Sequence, residues 1–200
     1  MIRGDSTNYD HLKKWCEKAA VYNPKERFHS VEIGVREGLG SKIIMDVFKE
    51  RLKGFRYMHF GIDPYGDLEY RHFDDQEERK WIGYEPGVAP TYPDEMYEQM
   101  IKDFEDYSMF NFFKMTDTEF MNNNSHLEYF NFVHFDGPHT TKAVSTEAIW
   151  FANRSVKGTR FVFDDYKNYN MALIAKILEY YDFKVIEAVG NKCLMEKFGG

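Results

Sequence analysis

The sequence predicts an α/β fold: one open, mostly parallel sheet with helices on both faces. Apolar runs of strand length alternate along the chain with segments of helical periodicity. That alternation is the pattern of a parallel sheet built through right-handed crossovers. Three apolar runs also end in residues suited to a site: Val31-Glu32-Ile33-Gly34-Val35-Arg36-Glu37-Gly38-Leu39-Gly40-Ser41, Phe132-Val133-His134-Phe135-Asp136-Gly137-Pro138-His139, and Phe161-Val162-Phe163-Asp164-Asp165-Tyr166. The first passes from a strand through a glycine-rich turn into a helix. The other two place carboxylates at the C-terminal ends of strands. In an open α/β sheet those ends face one crevice, where ligands bind.

The elements follow in order. Tyr9 to Val21 reads as a helix with Leu12, Trp15, Cys16 and Ala19 on one face, stopped by Asn23-Pro24. Phe28 to Ile33 is the first strand. Ser41 to Leu52 is a helix with Ile43, Ile44, Val47 and Phe48 at helical spacing, ended by Gly54. Tyr57 to Ile62 is the second strand and runs into Asp63-Pro64. Tyr65 to Pro93 then breaks the rhythm with an acidic, aromatic, Gly- and Pro-containing stretch. An insertion of that length is usually functional or mobile. Trp81, Tyr84 and Tyr92 suit a lid over a ligand and an anchored surface loop equally well.

Asp94 has the character of an N-cap for a helix carrying Met96, Met100, Ile101 and Phe104 inward. Asn111 to Met115 is the third strand, and Asn122-Asn123-Asn124-Ser125 reads as a polar turn. Phe130 to Phe135 is the fourth strand, Thr141 to Asn153 a helix, and Thr159 to Phe163 the fifth strand. Met171 to Tyr181 is a helix with Leu173, Ile174, Ile177 and Leu178 inward. Phe183 to Ala188 and Lys192 to Glu196 close the chain as a strand pair joined through Gly190-Asn191, which supplies one antiparallel edge strand. The count is seven strands. Residues 1–200 read as one domain with an insertion at 65–93, without internal repeats.

Composition narrows the function. A chain of 200 residues suits one core, and its 18% aromatic content argues against disorder. Thirty-three acidic against 26 basic residues give a net charge of -7, without the basic stripe of a nucleic-acid binder. No apolar run reaches membrane-spanning length, and the N-terminus lacks a signal-peptide pattern. Cys16 and Cys193 read as two free thiols in a reducing cytoplasm.

Glu32-x-Gly34-x-x-x-Gly38-x-Gly40 follows a strand and opens a helix, so its backbone can turn tightly and approach a ligand. Asp63 ends the next strand, where a carboxylate accepts hydrogen bonds from ribose hydroxyls. The spacing is not that of nicotinamide sites, and no Lys-Ser/Thr follows to make a P-loop. At these residues the chain resembles the class I S-adenosylmethionine-dependent methyltransferases. Glu32-Ile33-Gly34-Val35-Arg36-Glu37-Gly38 is similar to their first motif and Phe60-Gly61-Ile62-Asp63 to their second-strand motif. The resemblance implies a Rossmann-like sheet and a cofactor site of Glu32, Gly34, Gly38, Ser41, Asp63, Thr116 and Asp117. Gly34 and Gly38 would line the methionine part, Asp63 would bind the ribose, and Thr116 and Asp117 would lie beside the adenine. Met115 stands where the family has a small residue.

Asp136, Asp164 and Asp165 are oxygen donors on neighbouring strands, and a hard cation such as Mg²⁺ prefers oxygen ligands. Clustered carboxylates repel, and a cation removes that penalty. The pattern resembles the metal-dependent O-methyltransferases of the catechol and macrocin branch, in which an Asp follows the fourth strand and an acidic pair the fifth. Pro138 replaces a second acid common in the macrocin-like form. The resemblance implies a divalent cation on Asp136, Asp164 and Asp165 and a small hydroxylated acceptor, a sugar or polyol first and a catechol-like phenol second. His139, three residues beyond Asp136, is placed to accept the hydroxyl proton. The same residues admit a non-catalytic binder of S-adenosylmethionine, and, less well, a nucleotide-binding oxidoreductase. Aromatics of the first helix or the insertion offer a homodimer face.

Overall fold

The computed structural model describes residues 2, 8–20, 27–53, 55–66, 69–75, 79–80 and 94–199. Asn23-Pro24 and Gly54 as helix stops, and Trp81, Tyr84 and Tyr92 as lid aromatics, lie outside the described residues. In chain order the elements are α1 (Tyr9–Glu17), β1 (Arg27–Ile33), α2 (Leu39–Arg51), β2 (Arg56–Ile62), the short β3 (Glu69–Tyr70) and β4 (Arg79–Lys80), α3 (Asp94–Asp103), β5 (Phe110–Phe113), α4 (Asp117–Asn123), β6 (Phe130–Phe135), α5 (Thr141–Ala152), β7 (Ser155–Phe163), α6 (Met171–Glu179), β8 (Phe183–Val189) and β9 (Lys192–Lys197).

Seven strands form one sheet in the order β5-β2-β1-β6-β7-β9-β8. β1 pairs in parallel with both β2 and β6, and β6 with β7. The antiparallel element is the closing hairpin: β9 runs against β7 on one side and against β8 on the other. The chain reverses its direction of winding between β1 and β6, and that switch point opens the crevice.

Period-2 alternation sorts the strands into two faces. Val31, Ile33, Val133, Phe135, Phe161, Phe163, Cys193 and Met195 pack beneath Val144, Ala148 and Phe151 of α5 and Ile174 and Leu178 of α6. Phe28, Phe132, Val162 and Leu194 face the other way, onto Leu12, Trp15 and Cys16 of α1 and Ile44 and Phe48 of α2. Each fully buried side chain of this size contributes roughly 1.5–3 kcal/mol. Trp15 is buried in this core, and Tyr9 is the partly exposed aromatic of the first helix. The exposed apolar side chains at the sheet's free edge are Val185 and Ile186 of β8.

Two local readings differ from the sequence expectation. Residues 117–123 form α4, so the polar turn expected over 122–125 begins only at Asn124. Thr116 and Glu119 make a full capping box, with the Thr116 hydroxyl accepting from the Glu119 amide and the Glu119 carboxylate accepting from the Thr116 amide. β7 starts at Ser155 instead of Thr159, because its pairing with β6 slips between Phe130 and Phe132 and breaks the apolar alternation there.

Gly34 is held at a φ of 82°, and a Cβ on it would overlap the backbone carbonyl oxygen of Asp136. This close approach joins the ends of β1 and β6. The Gly34→Ala variant is therefore expected to lose more than ~2 kcal/mol through strain and overlap. Chemical denaturation read by circular dichroism checks it, and an unchanged midpoint would remove the close-approach argument.

Candidate active site

The crevice is built at the C-terminal ends of β2, β1, β6 and β7. The Gly34 amide donates to the Ile62 carbonyl at 2.9 Å, and the Asp136 amide to the Ile33 carbonyl at 2.9 Å. Gly38 caps the start of α2. Asp63 sits at the end of β2, where one carboxylate oxygen accepts from the Arg36 amide at 3.0 Å and the other from the Tyr65 amide at 3.1 Å. Burial pushes the Asp63 carboxyl up to about 6, against the opposing pull of those backbone donors. The Val35 amide is a third backbone donor to this carboxylate, so one of its four lone pairs is left for a hydroxyl.

On the far side of the switch point lie Asp136, His139, Asp164 and Asp165. The His139 Nε2 stands 3.8 Å from Asp136 Oδ1 and 3.9 Å from Asp165 Oδ2. Its ring lies parallel to Tyr169, at 6.1 Å and 1°, and stacks on Phe73 at 5.8 Å and 15°. Burial depresses the His139 imidazole to about 4, so it is a neutral base near pH 7. Burial and the neighbouring Asp164 push the Asp136 carboxyl well above the usual range. Asp165 is raised for the same two reasons, and its backbone adopts a left-handed φ of 46°. Non-glycine residues tolerate that conformation only where the surroundings hold it.

Part of the insertion reaches this site. The His139 amide donates to the His72 carbonyl at 2.7 Å. The Asp74 carboxylate accepts from the Thr141 amide at 3.0 Å and the Thr141 hydroxyl at 2.5 Å, at the first turn of α5. Residues 72–74 thus cover the loop that carries His139.

A chain of buried polar groups crosses the α2-side face beneath the crevice. Glu32 Oε1 accepts from His134 Nδ1 at 2.8 Å and Glu32 Oε2 from the Ser41 hydroxyl at 2.5 Å. The Ser41 oxygen accepts from His59 Nε2 at 2.9 Å, and His59 Nδ1 accepts from Ser30 at 2.7 Å. The Tyr57 hydroxyl, 2.9 Å from Ser30, completes that arm. On the other arm, Lys192 Nζ lies 3.5 Å from His134 Nε2 and 2.5 Å from Asp164 Oδ2. One consistent set of tautomers and hydroxyl rotors satisfies every link, with Glu32 and Asp164 as the two acceptors at which the donors end. His59 fits as a neutral ring, since burial lowers it to about 3.

This chain accounts for two residues expected at the cofactor: the Glu32 and Ser41 side chains are buried and bonded to protein. A Cβ on Gly40 would overlap the Glu32 carboxylate, so the third glycine of the turn makes room for that acid. Glu32 and Ser41 shape the turn from beneath. Thr116 is the cap of α4, and Asp117 lies beside Glu147, whose carboxyl is pushed well up by burial and then by Asp117. Both follow the crevice end of β5.

The three aspartates fit a divalent cation poorly. Asp164 is 2% exposed, with Oδ2 engaged by the Lys192 ammonium and Oδ1 accepting from the Asp165 amide at 2.9 Å. Asp165 Oδ1 accepts from Asn191 Nδ2 at 2.9 Å. Among the described residues, the group whose donor atoms lie within 4.8 Å of one another is instead Glu32, His134 and Asp136. Glu32 and His134 are bonded to each other, so an ion there would have to break the buried chain. The acid cluster expected to hold Mg²⁺ on Asp136, Asp164 and Asp165 thus already contains a protein cation, Lys192. Lys192 was missed because a single lysine at the start of a strand carries no spacing signal.

A family model described as a methyltransferase domain matches residues 31–166, more than half of the chain. The chain belongs to that family. S-adenosylmethionine is accordingly its cofactor, and the glycine-rich turn and Asp63 fit that role. Comparison with curated proteins finds no match. Among solved structures, the O-methyltransferase NovP superposes with a TM-score of 0.64 at 14% identity, over 94% of this chain and 78% of that one. CalS11, a TDP-rhamnose 3'-O-methyltransferase of calicheamicin biosynthesis, gives 0.55 at 15% identity, over 94% and 76%. An O-methyltransferase from Bacillus cereus in complex with SAH gives 0.53 at 10%, over 97% and 81%. At such identities the likeness establishes a shared fold.

Two outcomes are expected of this methyltransferase. Because the folded Asp63 carboxyl holds its proton up to about 6, its contribution to folding is present at low pH and lost as pH rises through that value. Cofactor binding runs the other way, since the ribose hydroxyls need the carboxylate. Calorimetry should show affinity for S-adenosylmethionine falling as pH drops below about 6, and Asp63→Asn should weaken binding and flatten that dependence. A wild-type affinity that ignores pH in this window would remove Asp63 from the cofactor site. Separately, Asp74→Ala should speed proteolysis within residues 65–93 by freeing the segment from Thr141; identical digestion rates would refute the anchoring role.

Proposed function

We propose that this chain transfers the methyl group of S-adenosylmethionine to a hydroxyl of a small polyhydroxylated molecule, a sugar or polyol before a catechol-like phenol. The carrying observation is His139, a neutral imidazole whose Nε2 lies between the carboxylates of Asp136 and Asp165. A hydroxyl must lose its proton as its oxygen takes up a methyl group. Burial keeps the His139 ring unprotonated at neutral pH, so a ring nitrogen is available to accept that proton as the methyl group transfers.

When bound, S-adenosylmethionine supplies a sulfonium methyl as the electrophile. The protein's own part is positioning and proton handling. Tyr169 and Phe73 hold the His139 plane, and the Tyr169 hydroxyl is itself anchored on the Asp164 carbonyl at 2.8 Å. Asp136 and Asp165 face the His139 Nε2, and the Asp164 carboxylate opposes the burial that depresses the ring and so favours the imidazolium that forms. Residues 72–74 limit water access to the base. Most of the rate gain comes from alignment of the two reactants.

The CalS11 sugar methyltransferase likeness supports the choice of a sugar-like acceptor. No described helix is long and apolar enough to cross a membrane. The buried free thiols Cys16 and Cys193 support assignment to a reducing cytoplasm.

The test is turnover on a panel of nucleotide sugars, free polyols and catechols, with His139→Ala beside wild type. His139→Ala is expected to lower kcat roughly 100-fold or more while leaving cofactor affinity nearly unchanged. Unchanged turnover removes His139 from the mechanism. Cofactor binding without turnover on any class would favour a non-catalytic binder of S-adenosylmethionine.

A further inference from the structure

Lys192 is fully buried, yet nothing in local sequence requires a cation at the first position of β9. Strand register explains how it arrives. β9 runs antiparallel to β7 with Phe163 opposite Cys193, so the next pair outward is Asp164 and Lys192. The turn before β9 locks this alignment. The Tyr166 amide donates to the Asn191 carbonyl at 3.2 Å, and Asn191 Nδ2 donates to Asp165 Oδ1 at 2.9 Å. Lys192 thus enters the acid cluster from the side opposite the cofactor turn. Its Nζ is 2.5 Å from Asp164, 3.5 Å from His134 and 5.4 Å from the centre of the Tyr9 ring.

We propose that Lys192 is the resident cation of this site: its ammonium holds Asp164 and the facing carboxylates in the arrangement a divalent ion would otherwise impose, and methyl transfer here proceeds without a divalent cation. The inference rests on the reading of the crevice as the methyl-transfer site. Three groups on three elements support it. The ammonium donates to Asp164, the most buried acid of the three on the crevice side. It also donates to His134, whose other nitrogen serves Glu32, so the charge is shared between the two buried carboxylates. A divalent ion at Asp164 would sit beside this ammonium, and like charges in a poorly solvated cluster repel strongly. Lys192 acts through Asp164 and is a positioning residue.

The proposal separates cleanly from the assignment of the reaction, because cation binding is read without turnover. The probe is Mn²⁺, followed by electron paramagnetic resonance as the full-length protein is titrated with S-adenosylhomocysteine present. Wild type is expected to leave the free-ion signal intact, and its methyl transfer to be unaffected by EDTA. Lys192→Met vacates the cation position, and it should bind Mn²⁺ at least roughly tenfold more tightly than wild type. Adding Asp164→Asn to that variant should abolish the gain. Lys192→Arg keeps the charge and should behave as wild type toward Mn²⁺. Tight stoichiometric Mn²⁺ binding by wild type, or loss of its turnover in EDTA, overturns the proposal. So does a folded Lys192→Met protein with no gain in Mn²⁺ affinity. The wild-type titration needs no variant and decides the matter even if Lys192→Met does not fold. Absence of methyl transfer on every acceptor would defeat the functional reading while leaving the Mn²⁺ result standing.

Discussion

Burial of like charge at one edge of the sheet is the constraint around which this structure is organised. Glu32, Asp136, Asp164 and Asp165 converge where β1, β6 and β7 end, and a carboxylate cluster shielded from water repels itself. The fold compensates with groups from distant parts of the chain. Lys192 from the last strand neutralises Asp164, His134 and Ser41 hold the two oxygens of Glu32, and Asp136 retains its proton well above the ordinary range. The closing hairpin is therefore part of this acid cluster, although it is the element farthest in sequence from the glycine-rich turn.

The two faces of the sheet carry different loads. The α5–α6 side is filled with aromatic and aliphatic side chains, among them the stacked Phe135–Phe163 pair and the Phe161–Phe183 pair. The α1–α2 side is apolar near the strand N-termini and polar toward their C-termini, where Ser30, His59, Ser41, Glu32, His134 and Lys192 form one bonded line. A partly satisfied polar network in a core is costly, whereas a fully satisfied one rigidifies it. Here every link has a partner. The first turn of α2 and the acid cluster thereby become one unit, which keeps the two halves of the crevice in register.

Much of this was legible in the residues. The strand and helix sequence followed from periodicity, and the crevice followed from the carboxylates and glycines at strand ends. His139 and the acids at 136, 164 and 165 do meet, because adjacent parallel strands carry their C-terminal residues to one level. The capping box at Thr116 and Glu119 was also present in the sequence, and its signal was hidden by the Asn-rich stretch after it. The buried partners of Glu32 and Ser41 were not legible for a different reason. A motif shows that an acid and a hydroxyl are close to the cofactor turn, and says nothing about which side of the strand they occupy.

The sequence by itself determined the α/β order, the glycine turn, the acid at Asp63 and the acids that end β6 and β7. These depend on local backbone chemistry and on a side-chain alternation that can be counted along one strand. Tertiary structure alone decided that the cation among those acids is Lys192, and that His134 and Glu32 link it to the cofactor turn. Those partners are set by register between strands up to 102 residues apart in the chain, and the free energy of pairing buried charges arises only once the sheet has excluded water.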